Sequence, residues 1–215
     1  MKNLIICVLL IAAGWYWYTG KLPGLPGAGA YDEAGNPTVL IFTIDDCNGY
    51  CEKGVSELRS RQVPFEELRI NPNNLDDKNV KLWRKLGRGN FPFFASGEDT
   101  VIGYEKWQIA AMLGKNFGDA YLTSTEKNYF AKHFYDDGTP RIVMYGADWC
   151  PYCRKLRNEM NEDNVDFLEI DVEKRGDKQQ IIDTLGVYGY PVVWVGHKRV
   201  RKAELSSIYE TIRQY

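Results

Sequence analysis

The chain has 215 residues, a formal net charge of −2 and 44% hydrophobic residues. Its length suits one large domain or two of about 100 residues each. The balanced charge excludes an electrostatic footprint for nucleic acid, and the composition excludes a disordered chain.

Residues 1–20 hold Lys2, an apolar run from Leu4 to Ala13, and Trp15-Tyr16-Trp17-Tyr18. A basic start and an apolar middle predict an N-terminal apolar helix, either a membrane anchor or a cleaved signal segment. Ala28-Gly29-Ala30 offers a small-residue cleavage site, but Pro23 and Pro26 separate it from the apolar run. The aromatics suit a membrane interface, although Leu4 to Tyr18 is short against the usual span of about 20 residues. A retained anchor is the preferred reading. On either reading the basic end stays cytoplasmic and the rest faces outward. For a bacterial source we expect a membrane-anchored protein with both domains facing the periplasm, or one secreted to the periplasm if the signal is cleaved. Disulfides persist in that compartment. Cys7, preceded by Ile5-Ile6, reads as a small membrane-embedded hydrophobe. Residues 21–36 form a Gly/Pro-rich linker.

Residues 37–117 and 140–215 read as two versions of one pattern. "PTVLIFTIDDCNGYC" from Pro37 and "PRIVMYGADWCPYC" from Pro140 each reach a first cysteine ten positions after the proline. Val39-Leu40-Ile41-Phe42 and Ile142-Val143-Met144-Tyr145 predict short buried strands. Helical spacing follows at Val55 and Leu58, and at Leu156 and Met160. Second strands follow, "PFEELRI" and "VDFLEID", then helices marked by Leu82, Trp83 and Leu86, or by Ile181, Ile182 and Leu185. Pro92 and Pro191 each lead into an apolar strand. A short strand and an amphipathic helix close each half, "YEKWQIAAML" and "KAELSSIYETI". The order β-α-β-α-β-β-α, twice, predicts an α/β fold of two tandem domains. In each, a crossover makes the first two strands parallel, and a tight turn makes the last two antiparallel. Residues 118–139 are a polar linker with a short helix that Ser124 or Thr125 would cap. Trp83 and Trp107 read as core-facing helix residues. His133 and His197 read as surface residues, and "VEKRGDKQQ" as a solvated helix start.

Five cysteines are too few to staple a chain of this length. The close pairs Cys47/Cys51 and Cys150/Cys153 therefore point to redox or metal chemistry. A thiolate performs nucleophilic exchange, and an ordinary cysteine, with a pKa of about 8.5, is mostly protonated at neutral pH. Placing Cys150 where a strand ends and a helix begins favours the anion, through unpaired N–H groups and the helix dipole. Pro151 fits the first helical turn, where its missing N–H costs nothing. Cys150 is thus expected as the exposed attacking thiolate and Cys153 as the thiol that resolves the mixed disulfide. Arg154, Lys155 and Arg157 add positive charge. Trp149 is placed to shield the thiol, to contact substrate or to pack in the core.

"CPYC" after a strand, with a helix behind it and an X-Pro step before the third strand, resembles the glutaredoxin branch of the thioredoxin-fold superfamily. The resemblance covers residues 140–215 closely and 37–117 loosely. It implies that Pro191 is cis and faces the cysteine pair, and that Tyr190 and Pro191 hold a substrate backbone. Trp149, Pro151 and Tyr152 join them as expected substrate contacts. It also implies glutathione as a co-substrate, with no tightly bound cofactor. Two features depart from the family pattern. Gly189-Tyr190 stands where Thr-Val is usual, and "HKRVRKAEL" replaces the Gly-Gly turn. Arg199, Arg201 or Lys202 would then have to meet the carboxylates of glutathione.

Cys47, Cys51 and Pro92 form a second candidate redox set. Cys51 lies one position beyond the place of Cys153, a step that on a helix keeps both sulfurs on one face. Asp45 and Asp46 oppose ionisation of Cys47. The first pair is therefore an altered dithiol, a structural disulfide or part of a docking domain. The expected activity is thiol–disulfide oxidoreduction on protein or small-molecule disulfides. The rival readings are a client-binding module with static disulfides and a zinc or iron–sulfur carrier built from four cysteines.

Overall fold

The computed structural model describes residues 29–215; the predicted N-terminal helix lies outside them. Two four-stranded sheets are present, as the repeat implies. The first is ordered β2-β1-β3-β4, from β1 (Val39–Thr43), β2 (Phe65–Arg69), β3 (Phe93–Ser96) and β4 (Asp99–Ile102). The second is ordered β6-β5-β7-β8, from β5 (Ile142–Gly146), β6 (Leu168–Asp171), β7 (Val192–Val195) and β8 (Lys198–Arg199). β1 runs parallel to β2 and antiparallel to β3, and β5 does the same with β6 and β7. Both halves are thioredoxin-like α/β domains.

The helices are α1 (Tyr50–Ser60), α2 (Lys78–Lys85) and α3 (Lys106–Phe117) in the first domain. The link carries α4 (Ser124–Phe130), and the second domain holds α5 (Pro151–Glu162), α6 (Lys178–Leu185) and α7 (Leu205–Ile212). The central strands are buried on both faces, which explains their continuous apolar sequences. Alternation then divides them. Leu40 and Phe42 face Val80, Trp83 and Leu86, whereas Val39 and Ile41 join a larger cluster with Val55, Leu58 and Ile109. That larger cluster continues through Phe130 into Val143, Tyr145 and Trp194 of the second domain. One apolar core therefore spans the domain boundary, where α3 packs on α6.

The link is built into this core. Leu122, Tyr129 and Phe130 are buried. Thr123, one residue before the expected cap, starts α4: its side chain accepts from the Glu126 N–H, and the Glu126 carboxylate accepts from the Thr123 N–H. Glu126 also binds Arg61 of α1 through two bonds of 2.6 and 2.7 Å.

The structural repeat begins before Pro37. Tyr31 pairs with Pro37, and Phe134 pairs with Pro140, across two short hairpins. The Ala30 N–H donates to the Gly97 carbonyl at 2.7 Å. At the matching place His133 Nδ1 bonds the Gly196 carbonyl at 2.9 Å. Both glycines have φ 53°, which the tight turns between paired strands require. Among the described residues no helix is long and apolar enough to cross a membrane.

Candidate active site

Cys150 ends the loop after β5 and is the N-terminal cap of α5, with extended backbone (φ −74°, ψ 114°). Pro151 occupies the first helical turn. The Cys153 N–H donates to Cys150 Sγ at 3.1 Å. The two cysteines form a disulfide with Cα atoms 5.3 Å apart. A reduced Cys150 would receive the same N–H and the positive end of the helix, both of which favour its anion.

The sulfur is not exposed as expected. Cys150 is 2% exposed and Cys153 0%. Ala147 and the ring of Tyr190 pack against the pair. Tyr190 precedes Pro191, and the peptide bond between them is cis. Its ring meets Trp149 edge-on at 6.0 Å, and its hydroxyl donates to Glu173 at 3.1 Å. Burial and the Glu173 carboxylate push the Tyr190 phenol up to about 12, so it remains a donor. Trp149 and Tyr152, 65% and 72% exposed, stand at the rim with Pro151. A covered disulfide bordered by exposed aromatics results.

The local charge also differs from expectation. Arg157 is bound by Glu169 at 2.5 and 2.6 Å, and Lys155 pairs with Glu159 at 3.0 Å. Of the three basic residues only Arg154 has no ion pair among the described residues. Asp148, two residues before Cys150, pairs with Lys174 and donates its N–H to Asp171. The Lys174 bond holds the Asp148 carboxyl below its usual range.

The first pair is built differently. Cys47 and Cys51 form a disulfide with Cα atoms 5.7 Å apart. They do not share a helix face, because Cys47 lies before α1 and only Cys51 is inside it. Asn48 (φ 49°) and Gly49 (φ 75°) take left-handed conformations that turn the chain between them. Gly49 caps the helix and supplies no side-chain bond. Asp45 pairs with Arg69 at 3.4 Å on the surface. The bond from Phe91 to Pro92 is cis, and the Pro92 carbonyl accepts from the Gly103 N–H at 2.8 Å. A pocket of about 200 Å³ beside Cys51 is lined by Thr43, Glu67, Arg59 and Arg69.

Both histidines depart from a surface placement: His133 packs inside the second domain and His197 at the domain boundary. His133 is fully buried between the Gly196 carbonyl and the Tyr145 hydroxyl, each at 2.9 Å. Burial pulls it down to about 3, so it is neutral. His197 lies over Gly114 of α3, and burial pulls it to about 4. Trp107 is not in its own domain's core alone: it meets Trp194 edge-on at 5.8 Å across the boundary. Arg199, a candidate for glutathione carboxylates, lies 4.8 Å over the Trp107 ring and donates to the Gly186 carbonyl at 2.9 Å. Arg201 and Lys202 remain on the surface. Among the described residues no group of three or more His, Cys, Asp or Glu is placed to hold a metal ion.

The glutaredoxin family model matches residues 142–200, which include the cysteine pair, cis-Pro191 and β8. The match marks residues 142–200 as a glutaredoxin-like domain within the chain. A glutaredoxin of Pseudomonas aeruginosa is 29% identical over 62 residues, 28% of this chain and 74% of that one. A thioredoxin domain-containing protein of Acanthamoeba polyphaga mimivirus is 31% identical over 88 residues. That match takes 36% of this chain and 25% of the viral protein, so the chain spans a quarter of that relative's length. Among solved structures, the Archaeoglobus fulgidus glutaredoxin is similar at 28% identity and a TM-score of 0.32, covering 40% of this chain and 92% of its own. A buckwheat glutaredoxin–glutathione complex is similar at 17% identity and a TM-score of 0.33, covering 42% and 80%. The family-model match and a bonded CPYC pair support thiol–disulfide redox chemistry in the second domain.

Proposed function

We propose that the glutaredoxin domain exchanges disulfides with proteins or small thiols through Cys150 and Cys153. The Cys150 thiolate attacks one sulfur of a substrate disulfide, forming a mixed disulfide and expelling the other sulfur as a thiolate, which takes a proton from solvent. Cys153 loses its proton and attacks Cys150 Sγ, which releases the second substrate thiol and closes the Cys150–Cys153 bond. The substrate gains two electrons and the enzyme dithiol loses them. The reverse sequence oxidises a substrate dithiol, and the partner's potential sets the direction. The observation that carries this reading is the Cys153 N–H aimed at Cys150 Sγ at a helix N-terminus, beside Tyr190.

Glutathione is the small thiol proposed, on the glutaredoxin match alone. Trp149, Pro151, Tyr152, Tyr190 and Pro191 are the proposed substrate contacts. The exposed aromatics at the rim favour a polypeptide partner, since such rings supply much of the energy of protein interfaces. The Cys47–Cys51 pair is proposed as a structural disulfide, because the helix behind it provides no side-chain cap and Cys47 lies outside it. An anchored, periplasmic placement of residues 37–117 and 140–215 rests on Lys2, the apolar run and the interfacial aromatics. It is tested in intact cells with a membrane-impermeant thiol reagent.

The decisive experiment incubates Cys153→Ser and Cys150→Ser proteins with a glutathione–peptide mixed disulfide and weighs the products. Cys153→Ser should accumulate an adduct on Cys150, and Cys150→Ser should form none. Adducts on neither protein, both being folded, would remove the catalytic reading and leave the binding module.

A further inference from the structure

α3 of the first domain sends Trp107 onto the second domain at one glycine. Gly186 ends α6 in the left-handed conformation (φ 66°). A Cβ there would come within 2.6 to 2.8 Å of Trp107 Cε2, Nε1 and Cδ2, so the indole lies directly on the Gly186 backbone. The Gly186 carbonyl accepts from Arg199 Nη1 at 2.9 Å and from the Tyr188 N–H at 3.0 Å. Arg199 is held in turn over the Trp107 ring at 4.8 Å. Gly186 is therefore clamped on one side by Trp107 and at its carbonyl by an arginine that Trp107 positions. Four residues later the chain reaches Tyr190, whose ring covers the Cys150–Cys153 disulfide. Beyond it, cis-Pro191 enters β7, where Val192 pairs with Tyr145. The loop over the disulfide is thus fixed at its far end by its own sheet and at its near end by the other domain.

We infer that Trp107, a residue of the first domain, is a positioning residue for the redox site of the second, holding Gly186 and so setting how Tyr188 to Pro191 lies over the cysteines. This assigns the first domain a role that needs no chemistry at Cys47 and Cys51. The kinetic consequence rests on the exchange activity proposed above; the structural consequence does not.

The test compares three variants of the full chain. Trp107→Ala removes the clamp, and Trp107→Phe keeps a ring. His197→Ala is the control: it loosens the same boundary, where His197 lies on Gly114, without touching Gly186. The first readout is backbone hydrogen exchange at residues 187–190 in the oxidised protein. The second is kcat and KM with a glutathione–peptide mixed disulfide. Trp107→Ala should speed loop exchange on the order of 10-fold. It should also raise KM about fivefold with kcat within about twofold. Trp107→Phe should restore most of both, and His197→Ala should change neither beyond about twofold. Unchanged loop exchange in a folded Trp107 variant, or equal effects from His197→Ala, would overturn the inference. If Trp107→Ala does not fold, Arg199→Lys takes its place, with loop exchange expected to rise and an unchanged loop again refuting the clamp. Should the wild-type chain exchange no disulfide while the loop result holds, the proposed function fails and the positioning role stands.

Discussion

Replacing Cys153 with Ser leaves Cys150 as a single thiol yet keeps the residue-153 N–H, which lies 3.1 Å from its sulfur. Replacing Cys51 with Ser isolates Cys47 in the same way, at a helix start with no side-chain cap bond. A hydrogen bond to a charged acceptor contributes about 1.5–3 kcal/mol, on the order of 10- to 100-fold in the ratio of thiolate to thiol. An ordinary cysteine is about 3% ionised at pH 7. The contact alone should therefore lift the ionised fraction of Cys150 to between roughly a quarter and three quarters. Cys47 gains no such contact and has Asp45 and Asp46 before it, so it should stay at a few per cent or below. Thiolate absorbance at 240 nm measures the fraction without requiring a reagent to pass Tyr190. The two variants, each with its other cysteine pair kept oxidised, should differ at least about 8-fold at pH 7. Equal fractions, or a larger one at Cys47, would refute the argument that the cap separates the two sites.

Three further outcomes test the scaffold. Burial alone would raise the Glu126 carboxyl, but Arg61 and the Thr123 cap outweigh it and hold the group below its usual value. Its stabilisation should be complete above the ordinary carboxylate range near 4.5 and be lost as pH falls through the lower folded value. Glu126→Gln should cost about 3 kcal/mol in urea melts at pH 7 and flatten the acid limb; a cost under about 0.5 kcal/mol would contradict the buried pair. His133 and His197, pulled to about 3 and about 4, stay neutral when folded while the unfolded chain protonates below 6.5. Stability should therefore fall from pH 6.5 toward pH 4, by up to about 1.4 kcal/mol per pH unit for His133 and less for the partly exposed His197. His133→Gln should remove close to one proton from that slope, and an unchanged slope would be contrary evidence. Gly114→Ala would place a Cβ 2.6 Å from His197 Cδ2, and that ring is wedged against Phe130 and Phe134. It should cost about 1–3 kcal/mol, much of it recovered when His197→Ala is added. Simply additive energies would show that the contact yields without strain.

What the sequence revealed follows the range of each interaction. The two domains were readable because buried central strands demand continuous apolar runs, and both central strands supply them. Cys150 was readable as a helix start because Pro151 can follow only a few backbone states and suits the first turn. The cover over Cys150 was not readable, since it depends on where a loop forty residues away places the Tyr190 ring. His133 sits in "FAKHFYDD", a stretch with surface composition, and its burial comes from Gly196 and Tyr145 in other elements. The contacts of Trp107 with Arg199 and Trp194 were not readable for the same reason: they cross the domain boundary. A signal for the early start of the repeat was present. "YDEAGNP" at Tyr31 and "YDDGTP" at Tyr135 both read as polar hairpins with a glycine before a proline-led strand, and both glycines, Gly35 and Gly138, take positive φ.

The two cysteine loops show how one inserted residue redirects the same scaffold. In the second domain the chain leaves β5, reaches Cys150 and enters α5 directly at Pro151, so the cap and the first sulfur are one residue. In the first domain Asn48 and Gly49 intervene and the cap passes to Gly49, so Cys47 is no longer the cap residue. Its sulfur can still reach Cys51, because the left-handed turn folds the chain back, but among the described residues no helix N–H donates to it as the Cys153 N–H does to Cys150. Such a change removes the N–H contact that Cys150 has while keeping the covalent tie that holds the helix to the strand end. The first domain is then free to be judged by what else it touches. Its α3 reaches Gly186, four residues before the ring that covers the second disulfide.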